Sequence, residues 1–352
     1  MPAIAGMVTA NGAEILLSIF ASCKAWEVFP GKNTFYCDGR FLTANDKTVL
    51  CITSTLITMT TALFIFNDYR ATLKDQAYGI YMLACSLLLY SFVMLMLFRT
   101  SFCDPGIIPR ASSSQSAQVE RQLIDADVRK NGYSGYKPPP RVQEIEINGV
   151  TMKQKYCFTC KIFRPPRSSH CSICDNCVDR FDHHCPWVGN CIGRRNYRYF
   201  YLFLASLSGR CLCLLIFSCS LMNLLILSKE KHNGEILAAL QESWPSAFEI
   251  FVSFFSIWSV VGLTCFHTYL TSTNTTTNED IKGSWKKNRA ARNPFSRGSC
   301  LLNCIHVLCA PLPVRSFNPR APANIDHHEI YNKIIELRDS NRNNRHDSQM
   351  RV

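Results

Sequence analysis

The chain reads as an α-helical polytopic membrane protein, with four transmembrane helices and a cysteine-rich module between the second and third. Three features predict this. Four long apolar runs alternate with polar segments, and basic residues concentrate in two of those segments. Seven cysteines and three histidines crowd into residues 157–191. Hydrophobic residues make up 47% and charged residues only 18%, a balance that favours a lipid-embedded chain over a wholly water-exposed one.

The spans come first. A helix crosses the hydrocarbon core with roughly 20 apolar residues. Residues 49–66 and 77–98 carry no charge, residues 199–227 form a third run, and residues 248–270 a fourth. The shorter run at 15–23 has no basic region before it, so it reads as an interfacial or buried helix rather than a targeting signal.

Connector charge then predicts orientation. Residues 99–198 hold 16 of the 38 Lys and Arg, and residues 271–352 hold 13. The connectors at 67–76 and 228–247 hold two each. Both basic segments, and with them both termini, are expected in the cytosol. The resulting organisation is a cytosolic N-terminal segment (1–48), spans one and two (49–98), a linker (99–156), the cysteine-rich domain (157–198), spans three and four (199–270), a membrane-proximal region (271–315) and a tail of disordered composition (316–352). Within the linker, residues 111–150 read as a flexible approach, with a short strand at 142–147.

The cysteine arithmetic carries the chemistry. Cys157, Cys160, His170 and Cys177 have the spacing C-x2-C-x9-H-x6-C, and Cys171, Cys174, His184 and Cys191 repeat it 14 residues on. Thiolate and imidazole donors in fours suit tetrahedral structural zinc. The two interleaved sets are expected to hold two structural zinc ions and to lock a small unit with little apolar core. The alternative, a disulfide cluster, fits a reducing cytosol poorly.

Two zinc ions would use six of the seven cysteines and two of the three histidines, leaving His183 and Cys185 beside Asp182. Only His184 stands in register with His170, so His183 is the spare imidazole. A spare Cys with a spare His is a nucleophile–base arrangement, and Asp182 can fix the histidine tautomer. The competing reading makes Cys185 a buried structural thiol.

Asp182-His183-His184-Cys185 within this block resembles the DHHC protein acyltransferases, or palmitoyltransferases. Asp104-Pro105-Gly106 after the second run is similar to that family's DPG motif, and Thr276-Thr277-Asn278-Glu279 after the fourth to its TTxE motif. Asn303 stands where its C-terminal motif carries an asparagine. The stretches from Trp26 to Asn33 and from Phe35 to Arg40 resemble the animal subfamily of members nine, fourteen and eighteen.

The resemblance implies a two-step protein-cysteine S-palmitoyltransferase. Cys185 takes a long acyl chain from fatty acyl-CoA (palmitoyl-CoA) and passes it to a cysteine of a protein substrate. His183 is then the general base and Asp182 its orienting partner. Arg164, Arg167, Arg180, Arg194 and Arg195 are candidates for the CoA phosphates, the alternative being a solvated basic face near anionic lipid. Asp104, Thr276, Thr277 and Glu279 are expected to dock the zinc module onto the helix bundle. The family further implies a Golgi or endoplasmic reticulum membrane and a small Golgi accessory subunit as partner.

Arg210 lies inside the third run and either lines the acyl cavity, limiting chain length, or pairs with a polar neighbour. Asp326-His327-His328 lacks a following cysteine and reads as a decoy. Cys23, Cys300, Cys304 and Cys309 lie near the membrane surface, as acylation sites or as packing thiols. Nucleic acid is not an expected partner, because the block lacks the zinc-finger spacing used to read DNA. A binding-only module would have no use for the surplus residues, and a transporter would call for repeats that are not seen.

Overall fold

The structure, a computed structural model, describes residues 23–73, 79–131, 140–208, 212–285 and 293–323. Arg210, the second Asp-His-His and most of the 15–23 run lie outside the described residues.

Two short strands, β1 (Thr34–Tyr36) and β2 (Phe41–Thr43), lead into helix α1 (Lys47–Leu63). Its end, Phe64–Leu73, winds more widely, as a π-helix. Helix α2 (Gly79–Phe102) returns. The apolar run at 199–227, expected as a third span, falls instead in two helices, α4 (Tyr197–Leu207) and α5 (Leu212–Lys231), numbered after helix α3 (Ser113–Asn131) of the linker, and over its described residues neither is long and apolar enough to cross a membrane. A short α6 (Ile236–Glu242) precedes α7 (Trp244–Ser272). Among the described residues, three helices are long and apolar enough to cross a membrane: 47–69, 79–102 and 244–272.

The first two of these helices have two apolar faces, whereas the buried face of α7 is mostly polar, with Ser246, Glu249, Ser253, His267 and Thr271. Leu50, Ile57 and Phe64 of the first, Val93 and Leu97 of α2, Phe200 and Phe203 of α4, and Ile216 and Cys219 of α5 join one buried cluster. The opposite faces expose Ile52, Leu56 and Met59, then Leu88, Phe92 and Leu95, then Phe251, Phe255 and Trp258. Each triplet has i, i+4, i+7 spacing, a full stripe of large apolar side chains turned outward. A soluble core helix would bury such a stripe, whereas a bilayer accepts it.

A polar knot ties the bundle together at the end far from the cysteine-rich module. Asp68 is fully buried, and its Oδ1 accepts from Asn67 Nδ2 (2.8 Å), Asn223 Nδ2 (2.8 Å) and Ser246 Oγ (2.5 Å). Ser220 Oγ lies 2.5 Å from Asp68 Oδ2 and 2.6 Å from the buried Glu249. Apolar surroundings make such groups expensive unless they bond one another, so the knot pins the first span to α5 and α7.

The linker departs from the flexible approach expected at 111–150. The strand at 142–147 is present as β4 (Val142–Ile147), but residues 113–131 form α3. Ser112 Oγ accepts from the Gln115 backbone N–H while Gln115 Oε1 accepts from that of Ser112, a reciprocal capping box. The Ser-x-x-Gln signal was in the sequence; the serine-rich composition outweighed it.

The cysteine-rich module is built from small antiparallel pieces: β4 with β5 (Val150–Cys157) and β6 (Ile162–Phe163), β3 (Ile107–Ile108) with β8 (Asn176–Val178) and β7 (Ser169–Cys171), and β9 (His183–Cys185) with β10 (Asn190–Ile192). With β3 just after α2 and β10 just before α4, the module is held at one end of the bundle.

Candidate active site on a metal-stabilised hairpin

The two ligand sets assemble as the spacing predicts. His170 Nδ1 lies 3.6, 3.5 and 3.8 Å from the sulfurs of Cys157, Cys160 and Cys177. His184 Nδ1 lies 3.7, 3.4 and 3.5 Å from those of Cys171, Cys174 and Cys191. Metal–sulfur and metal–nitrogen bonds of about 2.3 and 2.0 Å at a tetrahedral angle put N and S about 3.5 Å apart. Both sets therefore have the size of a four-coordinate metal cage, and all six thiols are buried. Crowding shows in their acidity. Hydrogen bonds among the thiols hold Cys160 and Cys171 below the ordinary thiol value and push their partners Cys177 and Cys174 above it.

The hairpin β9–β10 explains the Asp-His-His-Cys order. Its register pairs His183 with Ile192, His184 with Cys191 and Cys185 with Asn190. Successive side chains on a strand point to opposite faces. His184 therefore faces the metal cage, while His183 and Cys185, two residues apart, share the other face. Cys185 is buried in the cluster that includes Leu50, Val188, Ile192 and Phe200. The left-handed turn at Gly189 (φ 60°) reverses the chain after Pro186–Val188.

His183 Nδ1 lies 2.7 Å from Asp182 Oδ2. Burial alone would lower the pKa of this imidazole. Hydrogen bonds to Asp182 and Cys185 overcome that and raise it to about 9. Asp182 is itself buried. Burial works against its charge, yet its hydrogen bonds to His183 and Thr277 and the charge of His183 hold it below the ordinary carboxylate value.

The motif after α7 supplies the rest of that support. Thr276 caps α8 (Thr277–Ile281) in a capping box with Glu279. The next residue, Thr277, donates to Asp182 through its backbone N–H (2.9 Å to Oδ1) and its hydroxyl (2.7 Å to Oδ2). Glu279 then takes a two-pronged bond from Arg167, at 2.8 and 2.7 Å, with both side chains buried. Asp104 closes the other end of the module: its Oδ1 accepts from the N–H groups of Gly106 and Ile107, and its Oδ2 lies 3.3 Å from Arg195 Nε. Asn303 holds the membrane-proximal helix α9 (Cys300–Cys309) to the end of α7, donating to Ser272 O at 2.8 Å. The docking role expected of these residues thus becomes specific, with Thr277 touching the aspartate of the site.

The five candidate arginines separate. Arg167, Arg180 and Arg194 line a cavity of about 480 Å³. Arg198, Arg297 and His306, which the sequence reading did not single out, line it too. Burial and the like charge of Arg167 bring Arg180 down to about 10. Arg164 and Arg195 are not among the lining residues; Arg164 donates to Ser169 and Arg195 pairs with Asp104.

His267 was also missed. It is buried near the end of α7, its ring centroid 5.9 Å from that of His183, and its Nδ1 is 3.1 Å from the Tyr197 hydroxyl. The signal was available: an acidic or basic residue inside a long apolar run is costly unless it faces protein, and the run at 248–270 holds two, Glu249 and His267.

The site thus combines two Cys3His cages at one end of a bundle of apolar helices with a histidine–cysteine pair on the hairpin of one cage. The sequence profile of the DHHC palmitoyltransferases matches residues 150–284. Palmitoyltransferase ZDHHC18 of Mus musculus is 51% identical over 293 residues, 82% of this chain and 74% of the relative. ZDHHC18-B of Danio rerio is 52% identical over 82% of this chain and 73% of the relative. ZDHHC14 of Homo sapiens is 50% identical over 83% of this chain and 58% of the relative. The chain belongs to the DHHC palmitoyltransferase family and is a protein S-acyltransferase of the membrane.

Proposed function

We propose that Cys185 is the nucleophile that carries the acyl group from long-chain acyl-CoA to cysteines of protein substrates. The observation that carries this reading is the shared face of His183 and Cys185 on β9, with Asp182 and Thr277 behind the histidine. His183 takes the Cys185 proton, and the thiolate attacks the thioester carbonyl. A new carbon–sulfur bond forms, the bond to CoA breaks, and the leaving CoA sulfur takes the proton back from His183. In the second half, a substrate thiol gives its proton to His183 and attacks the acyl-Cys185 carbonyl, and Cys185 leaves as thiolate. Asp182 holds the imidazole in the tautomer that does this and stabilises its charged form.

The two cages are proposed to hold structural zinc, each closed by four protein ligands and so without an open position for substrate. The arginine-lined cavity is proposed for the CoA phosphates, with Arg167, Arg180 and Arg194 joined by Arg198 and Arg297. Arg164 and Arg195 belong to the same basic face. Burial of Cys185 in the apolar cluster between the spans supports an acyl chain lying along that cluster, where each CH2 removed from water contributes roughly 0.8 kcal/mol. The basic connectors support an orientation with both termini in the cytosol. Residence in the Golgi or endoplasmic reticulum, and a small Golgi accessory subunit as partner, remain part of the proposal from the family alone.

Purified protein incubated with radiolabelled palmitoyl-CoA should take up hydroxylamine-sensitive label that Cys185→Ser abolishes. Label persisting unchanged in that variant sinks the reading. Zinc content near two per chain should stay the same in Cys185→Ser.

A further inference from the structure

Asp46 stands at the N-cap of α1, the position at which an aspartate normally accepts the first free N–H groups of a helix. Its side chain makes no capping bond. Instead, Oδ2 lies 2.5 Å from Nε2 of His184, reaching from the head of the first membrane span to a ligand of the second cage. The backbone follows the same route. Ala44 N–H donates to Gly189 O at 2.8 Å, and a Cβ placed on Gly189 would lie only 3.3 Å from Leu50 Cβ. The turn of the active-site hairpin thus rests on the first turn of α1.

With Nδ1 directed at the three sulfurs, His184 has only Nε2 left to be oriented by. A carboxylate on the outer nitrogen fixes the tautomer and ring angle and strengthens the inner nitrogen as a ligand. The first cage lacks an equally close partner. His170 Nε2 lies 3.5 Å from Asp175 Oδ1, on a carboxylate that also pairs with Arg110 at 2.9 Å. Asp175 belongs to the module's own loop, whereas Asp46 belongs to the membrane bundle.

We propose that Asp46 is a positioning residue that ties the first span to the second metal cage and so sets His183 and Cys185, the neighbours of His184 on β9, against the spans. The inference rests on the catalytic reading of Cys185 only for its effect on rate; its effect on metal holding stands apart. A helix that gives up a capping bond for a metal ligand makes the membrane bundle part of the support of the nucleophile. Removing the carboxylate frees the ring of His184, and the strand carrying Cys185 loses its side-chain tie to the head of α1.

The test uses full-length protein loaded with zinc, and follows zinc release to a colorimetric chelator together with autoacylation by palmitoyl-CoA. Asp46→Ser keeps a strong capping residue but cannot reach His184. It should speed release of one of the two zinc ions about 10- to 100-fold and leave the other unchanged. kcat should fall by about 10-fold with KM for palmitoyl-CoA unchanged. Asp46→Asn, which retains an oxygen to accept from Nε2, should recover most of the loss. Asp175→Ala should affect the other release phase. Wild-type release of both ions from Asp46→Ser overturns the proposal, as does equal acceleration of both, which would mean general loosening. Should Cys185→Ser still label, the catalytic reading fails while the release phases still judge Asp46.

Discussion

The two metal cages have the same spacing, the same donors and nearly the same dimensions, yet different neighbours. The first (Cys157, Cys160, His170, Cys177) is braced by strands of the linker and by Asp175 and Arg110. The second (Cys171, Cys174, His184, Cys191) is braced by the head of α1, by the backbone of Lys32, which donates to Cys174 O at 2.8 Å, and by the hairpin bearing His183 and Cys185. A repeat in sequence gives two equal binding sites; what they do is set by what each one touches. One cage sits among the linker strands, and the other carries the hairpin on which Cys185 joins the buried apolar cluster.

Stripping both metals should erase the comparison altogether. Structural zinc in small modules contributes on the order of 10–16 kcal/mol of apparent folding energy. Chelated protein should therefore lose autoacylation entirely and become sensitive to proteolysis across 150–200, with recovery on zinc addition. Next in size is the contrast between the two histidines. His184→Ala should bring autoacylation to background, while His170→Ala should retain measurable label at about 10- to 100-fold lower rate, each losing one zinc by metal analysis. Equal residual activity in the two would remove the asymmetry.

Smaller still is the effect of Thr277→Val. It deletes one hydroxyl bond to the buried Asp182 and leaves the cages intact. Bonds to ionised groups contribute about 1.5–3 kcal/mol, so kcat should fall roughly 10- to 100-fold at unchanged zinc content. The smallest change is expected at the far end of the bundle. Ser220→Ala breaks the bridge between Asp68 and Glu249. It should reduce stability by about 1 kcal/mol, read as a lower thermal midpoint, with acylation per folded molecule unchanged.

Much of the site was legible before any fold was known. Counting donors against two four-coordinate metals left over His183 and Cys185, beside Asp182, because thiolate and imidazole spacing is a short-range constraint written directly in the chain. Three of the four apolar runs became helices long and apolar enough to cross a membrane, since a bilayer demands long unbroken hydrophobic stretches; the run at 199–227 did not, among the described residues. The helix at Ser113–Asn131 was misread as flexible because its composition masked a two-residue capping signal.

What the amino-acid sequence determined by itself is local: which donors can form each cage, which segments can enter a membrane, and which thiol is left over. Tertiary structure decided which side of the hairpin that thiol faces, that Thr277 braces Asp182 across 95 residues of chain, and that Asp46 reaches His184 across 138. It also decided that Arg167, Arg180 and Arg194 line a cavity, with Arg167 already held by Glu279, while Arg195 pairs with Asp104. The physical reason is that metal spacing and hydrophobic length act between residues near in sequence, whereas hydrogen bonds and ion pairs between distant segments exist only once the packed bundle has brought their partners within about 3 Å.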